Sequence, residues 1–138
     1  MTIRVLVVED DFRVARLHAD LVAAIDGMEV VGVVHTAADA LALADAEHPD
    51  LVLLDEYLPD ERGTSLMGRL DAAVMLISAE TDASVIRRAI ERGAVNVVLK
   101  PFAPPVLAQR LAAFARFHAT LESGQADQRG VDRALAVL

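Results

Sequence analysis

The sequence predicts a doubly wound α/β fold around a five-stranded parallel sheet. Two observations predict it: five short runs of Val, Leu and Ile recur along the chain, and longer stretches with helical spacing separate them. Aliphatic runs of four to six residues, mostly unbroken by polar ones, are what strands buried on both faces require. A third observation is that the chemistry-bearing residues directly follow these runs, at what would be a single rim of the sheet.

The runs fall at residues 3–8, 30–34, 51–54, 74–77 and 95–99. After the first, Val14, Leu17, Leu21, Val22 and Ile25 repeat at helical spacing, and Asp26-Gly27 supplies a stop. An alanine-rich stretch from Thr36 to Glu47 follows the second run and ends before His48-Pro49. The third helix, from Thr64 to Leu70, is short, and only Asp71-Ala72-Ala73 joins it to the next strand. Val85, Ile86, Ala89 and Ile90 mark the fourth helix, which Gly93 closes. Val106, Leu107, Leu111, Phe114 and Leu121 mark a long fifth helix after Pro104-Pro105. Strand and helix alternating five times imply right-handed crossovers and helices on both faces. Residues 123–130, SGQADQRG, read as a linker, and Val131, Leu135 and Leu138 open a new helical pattern.

With 138 residues, 54% of them hydrophobic and 25% charged, the chain has the size and apolar content of one well-cored domain rather than a disordered segment. Cysteine is absent, which removes disulfides, thiolate metal sites and a cysteine nucleophile. No run approaches the length of a membrane span and no secretory leader opens the chain, so a cytoplasmic protein with no membrane contact is expected. The net charge of −8 argues against direct binding to nucleic acid. Its distribution is uneven: residues 1–70 carry 14 acids against 5 bases, and residues 71–138 carry 7 against 8.

The residues after the strands carry the functional argument. Glu9-Asp10-Asp11 follows the first strand, Asp55 ends the third, Ser78 ends the fourth and Lys100-Pro101 follows the fifth. Each has a plainer role when taken singly: Asp11 as a helix N-cap, Ser78 as a loop hydroxyl, Lys100 as a solvated surface lysine. Together they would bring three carboxylates, a hydroxyl and an ammonium to one place. Three acids in close quarters raise one another's pKa unless a cation intervenes, and all-oxygen ligation suits Mg2+. An aspartate beside Mg2+ can serve as a nucleophile toward phosphorus, with lysine and serine steadying the phosphoryl oxygens. His18, His35, His48 and His118 lack ligand spacing and are read as non-functional.

At these residues the sequence resembles the receiver domain of bacterial two-component response regulators. The resemblance spans about residues 2–121 and rests on VLVVEDD at 5–11, DLVLLDEYLPDERG at 50–63, VMLISAE at 74–80 and GAVNVVLKPF at 93–102. It implies a flavodoxin-like (βα)5 fold of strand order 2-1-3-4-5, with a receiver domain over 1–121. Residues 122–138 would be a linker and the start of a C-terminal helix leading to an output domain outside this chain. It also implies that Asp55 is the phosphoacceptor, Ser78 the switch hydroxyl and Lys100 the phosphate-binding lysine, followed by a cis bond to Pro101. The Mg2+ ligands would be Asp10, Asp55 and the backbone carbonyl of Tyr57, with Glu9 acting through water. The implied partners are a sensor histidine kinase, a second copy through the fourth helix, fifth strand and fifth helix, and DNA only through the absent domain. Arg87, Arg88, Arg92, Arg110 and Arg116 make that face the less acidic one. DEYLPD at 55–60 and DQRGVDRAL at 127–135 resemble regulators paired with citrate- and C4-dicarboxylate-sensing kinases.

Two features depart from the family pattern. Val97 stands three residues before Lys100, where an aromatic that swings with the switch hydroxyl is usual, and the connection into the fourth strand is short. Tyr57 and Glu80, two residues beyond Asp55 and Ser78, occupy positions that influence dephosphorylation in the family. Val97 keeps open a pseudo-receiver that docks partners without being phosphorylated. A phosphohydrolase of the aspartyl-phosphate kind needs Asp-x-Asp after its first strand, and a topoisomerase-primase nuclease needs it after the third; neither is present. A flavin binder would need a Ser/Thr/Gly-rich loop where Glu9-Asp10-Asp11 stands.

Overall fold

The computed structural model describes residues 2–79 and 81–122. Five parallel strands form one sheet: β1 (Ile3–Val8), β2 (Met28–Val34), β3 (Leu51–Asp55), β4 (Ala73–Ser78) and β5 (Asn96–Leu99), in the order β2-β1-β3-β4-β5. The helices are α1 (Phe12–Ala23), α2 (Ala37–Glu47), α3 (Gly63–Leu66), α4 (Ala83–Glu91) and α5 (Pro104–Glu122). This is the predicted doubly wound arrangement.

The two faces of the sheet sort the aliphatic side chains by the two-residue period of a strand. Ile3, Val5 and Val7 of β1 join Leu51 and Leu53 of β3, Met75 and Ile77 of β4, and Leu107, Leu111 and Phe114 of α5 in one core. Leu6 and Val8 turn the other way, to Val52 and Leu54, Val74 and Leu76, Leu66 of α3 and Ala89 of α4. Apart from Arg4 of β1, the central strands are therefore apolar up to their carboxyl-terminal residues because both faces are covered. Each fully buried Leu or Ile contributes about 1.5–3 kcal/mol relative to exposure.

Local signals start the helices. The Asp11 carboxylate accepts the Arg13 and Val14 N–H groups at 2.9 and 3.1 Å and caps α1. Thr36 caps α2 by accepting from Asp39 N–H at 3.1 Å, and Asp82 caps α4 by accepting from Ser84 N–H at 2.9 Å. Proline in the first turn of α5 lacks the N–H that a helix start leaves unbonded. Gly27 and Gly93 end the segments before β2 and β5 at φ of 84° and 93°, where a side chain would be strained.

Several boundaries differ from the sequence expectation. β2 begins at Met28 rather than residue 30, and it is only half-buried because it is an edge strand. β5 begins at Asn96, since Val95 uses its N–H to reach the Val74 carbonyl before the strand proper. The third helix has only one α-helical turn, Gly63–Leu66, and tightens into a 3-10 turn over Met67–Arg69. α1 stops at Ala23, a little before Asp26-Gly27. Leu17 and Ile90, which belong to the apolar helical patterns, are 49% and 61% exposed, because α1 and α4 each bury a narrower stripe than their apolar residues cover. No helix among the described residues is long and apolar enough to cross a membrane. The linker at 123–130, the helical pattern beyond it and Glu80 lie outside the described residues.

Among the histidines, His18 is buried, with its ring 6.0 Å from that of Phe102. Burial lowers its pKa from 6.5, against a smaller upward pull from Glu9. The folded chain thus binds this proton less well than the unfolded chain, so stability falls as pH drops below about 6.5. Chemical denaturation of wild type and His18→Leu between pH 7.5 and 5 checks this: the slope attributable to His18 disappears in the variant. Equal slopes in the two proteins would refute the assignment.

Candidate functional site

Parallel pairing aligns the carboxyl ends of β1, β3, β4 and β5 at one rim. Asp55 is the last residue of β3 and stands in register with Ile77, one residue before Ser78; Ser78 is in turn in register with Leu99, one residue before Lys100. Glu9, Asp55, Ser78 and Lys100, far apart in the chain, are thereby brought to one rim of the sheet. The Lys100 ammonium donates to Glu9 Oε1 at 2.8 Å and lies 3.5 Å from Asp55 Oδ1. Glu9, Asp55 and Ser78 are buried, whereas Asp10 is exposed. The peptide bond joining Lys100 to Pro101 is cis, as expected.

The electrostatics of this cluster follow from its burial. Asp55 is pushed up to about 7, first by burial and then by its hydrogen bond and repulsion with Glu9; Lys100 and the Tyr57 backbone N–H oppose the rise. Burial would raise Glu9 as well, but its hydrogen bonds with Asp55, Lys100 and Asp10 prevail and hold it at about 2. Asp10 is raised by its hydrogen bond with Glu9, then by burial. Burial pulls Lys100 down, yet Glu9 and Asp55 outweigh it and raise it. The protein thus confines more carboxylates than one lysine can balance.

Glu9, Asp10 and Asp55 each offer an oxygen, and the three oxygens lie within 4.8 Å of one another. Three carboxylate oxygens at this separation, with Asp55 held against ionisation by burial and by Glu9, fit a hard divalent ion. The donor set has no nitrogen or sulfur, which disfavours zinc.

Sequence reasoning missed the support beneath Asp55. Glu56 is buried and accepts from Thr64 N–H at 2.7 Å and from the Thr64 hydroxyl at 3.0 Å. Tyr57 and Arg62 pair as an antiparallel bridge, with the Arg62 guanidinium 4.5 Å from the centre of the Tyr57 ring. Asp60 reaches across to α2, where its carboxylate accepts the Ala37 and Ala38 N–H groups at 2.9 and 3.0 Å. The one available signal was an acid–threonine pair spaced by eight residues, which has no meaning until the chain turns back on itself. Val97 is half-buried among the residues packed against the second core.

Comparison with known proteins decides the family. Residues 5–112 match the response regulator receiver domain. The chain belongs to that family. It is 36% identical over 104 residues to the transcriptional regulatory protein CitT of Bacillus subtilis, a match covering 72% of this chain and 46% of CitT. It is 32% identical over 133 residues to the transcriptional regulatory protein DpiA of Escherichia coli K12, covering 92% and 59% respectively. The receiver chain thus spans about half the length of the curated relatives it matches. The response regulator domain of Thermotoga maritima CheB superposes with a TM-score of 0.74 at 25% identity, covering 84% of this chain and 95% of that one. The probable C4-dicarboxylate response regulator DctR of Bacillus subtilis is 29% identical over 125 residues, covering 87% of this chain and 55% of DctR, in line with the subfamily resemblance.

Proposed function

We propose that this receiver accepts a phosphoryl group on Asp55 from a sensor histidine kinase and relays that event to a transcriptional, DNA-binding output outside residues 1–121. The observation that carries the proposal is the Lys100 ammonium bridging Glu9 and Asp55 at the floor of a carboxylate cluster. In this reading Asp10, Asp55 and the Tyr57 carbonyl would hold Mg2+, and Glu9 would act on it through water. The bound ion would neutralise the carboxylates and the phosphoryl oxygens.

One Asp55 oxygen attacks phosphorus, an O–P bond forms, and the P–N bond to the kinase imidazole breaks. Electrons of the broken bond leave with that imidazole. Lys100 shifts from Asp55 toward a phosphoryl oxygen, and the Ser78 hydroxyl donates to another. Water later attacks phosphorus and returns Asp55 as a carboxylate with release of phosphate. The phosphoryl group adds about 1.5–2 negative charges beside β4, and displacement of Ser78 biases the face formed by α4, β5 and α5. That face is the proposed contact with a second copy. The setting is cytoplasmic, and residues 122–138 form the link to the output domain.

Intact mass after incubation with acetyl phosphate tests the proposal. A single phosphoryl adduct is expected with Mg2+, none without it, and none on Asp55→Asn under either condition. An adduct on the variant, or none on the folded wild type, would defeat the assignment of Asp55.

A further inference from the structure

We infer that Glu56, acting through Thr64, is a positioning residue that holds the Tyr57 peptide against Asp55; the inference rests on the proposed role of Asp55. Glu56 is a carboxylate only 1% exposed, next in the chain to Asp55, and takes no part in the chemistry above. Burying a second charge beside a cluster already rich in carboxylates is costly, so its partners should account for it. Every polar group of Glu56 is engaged. Its N–H donates to the Ile77 carbonyl at 3.1 Å, and its own carbonyl accepts from Gly63 N–H at 2.8 Å. One carboxylate oxygen accepts from Thr64 N–H, the other from the Thr64 hydroxyl.

These bonds close a loop. The chain leaves β3 at Asp55, runs through Tyr57 to Arg62, and is drawn back by Gly63 and Thr64 onto Glu56 itself. The bridge between Tyr57 and Arg62 lies inside this closure. Tyr57 N–H is the backbone group that hydrogen-bonds the Asp55 carboxylate. A shift of the Tyr57 backbone would lose that bond, whose N–H shares a peptide with the Glu56 carbonyl, and would displace the carbonyl of the next peptide, the one assigned to the metal. Glu56 resists the shift because its carbonyl, held by Gly63 N–H, fixes the peptide that carries the Tyr57 N–H, while its carboxylate holds Thr64 at the far end of the loop. Arg92, directly after α4, also donates to the Thr64 carbonyl, anchoring the same point from outside.

The half-exposed Arg62 guanidinium approaches Glu56 only to 3.8 Å, so the hydrogen bonds rather than the charge carry the clamp. A carboxamide can preserve them: Gln accepts the Thr64 N–H through its oxygen and donates its NH2 to the Thr64 hydroxyl. The charge-neutral variant therefore rescues what truncation loses.

Mg2+ affinity measured by calorimetry on metal-free wild type, Glu56→Gln, Glu56→Ala and Thr64→Val tests the inference, with thermal melts to confirm folding at the temperature of measurement. Glu56→Ala should weaken Mg2+ by about tenfold or more, as removal of a group supporting a ligand does. Glu56→Gln should stay within about threefold of wild type, and Thr64→Val should lose about three- to fivefold. Should Glu56→Ala fail to fold, Thr64→Val carries the test, because it keeps the N–H bond. Wild-type Mg2+ affinity in a folded Glu56→Ala or Thr64→Val protein overturns the inference. Acetyl phosphate labelling of the same set separates it from the phosphoacceptor assignment. An unlabelled wild type whose Mg2+ affinity still depends on Glu56 would defeat that assignment and leave the positioning role standing.

Discussion

Gly63→Ala is expected to lower the stability of the fold by about 1–3 kcal/mol, which for a domain of this size lowers its melting temperature by about 4–12 °C. A Cβ at this position would sit 2.4 Å from the Asp55 carbonyl oxygen and 3.1 Å from the Glu56 Cα. Both obstacles are backbone, held by the pairing of β3 with β4, so neither can swing aside as a flexible side chain would. The φ angle plays no part; the requirement is close approach of one backbone segment to another. Relief would come from pushing α3 outward, which would lengthen the bond from Gly63 N–H to the Glu56 carbonyl and loosen the loop carrying Tyr57. The variant should therefore lose acetyl phosphate labelling rate as well as stability. Thermal melts with labelling kinetics check both, and a variant as stable as wild type would show that the loop yields where the packing says it cannot.

Asp55→Asn should do the opposite to stability. Metal-free, it should be more stable than wild type by about 2 kcal/mol at neutral pH. Asp55 is pushed up to about 7 by burial and by Glu9, so its ionised form is disfavoured in the folded chain. Each unit of such a rise corresponds to about 1.4 kcal/mol, and solvent at the rim reduces the total. Asparagine fills the same space without the charge. Added Mg2+ should then narrow or reverse the gap, because an ion bound only to the folded state stabilises it in proportion to its affinity, and the variant has lost a ligand. Melting curves of the two proteins with and without Mg2+ measure this. A variant less stable than wild type in the absence of metal would mean that Asp55 contributes to the fold as a hydrogen-bonded structural residue. Matched against the absence of labelling on the same variant, the result would describe a site kept at some cost to stability.

Much of this was legible in the chain itself. Buried central strands such as residues 51–54 declare themselves because both faces demand aliphatic side chains, and strand order then follows from the family resemblance. Glu9, Asp55 and Lys100 could be picked out because strand ends are where a parallel sheet gathers its polar groups. Asp11, Thr36 and Asp82 are caps that local composition announces. Edges were harder to read. β2 is half-exposed although its sequence is as aliphatic as that of β1, since nothing in a run of valines tells an edge strand from a central one.

The sequence by itself therefore determined the alternation of elements, the two-sided core and which residues reach the rim. Each depends on local periodicity or on position relative to a strand end. Tertiary structure alone decided which oxygen Lys100 meets, how far burial raises Asp55, and why Glu56, Thr64 and Gly63 are what they are. Those properties arise from distances between segments 8 to 91 residues apart. Hydrogen bonding and desolvation act over a few ångströms of space, and no spacing along the chain encodes them until the sheet has formed.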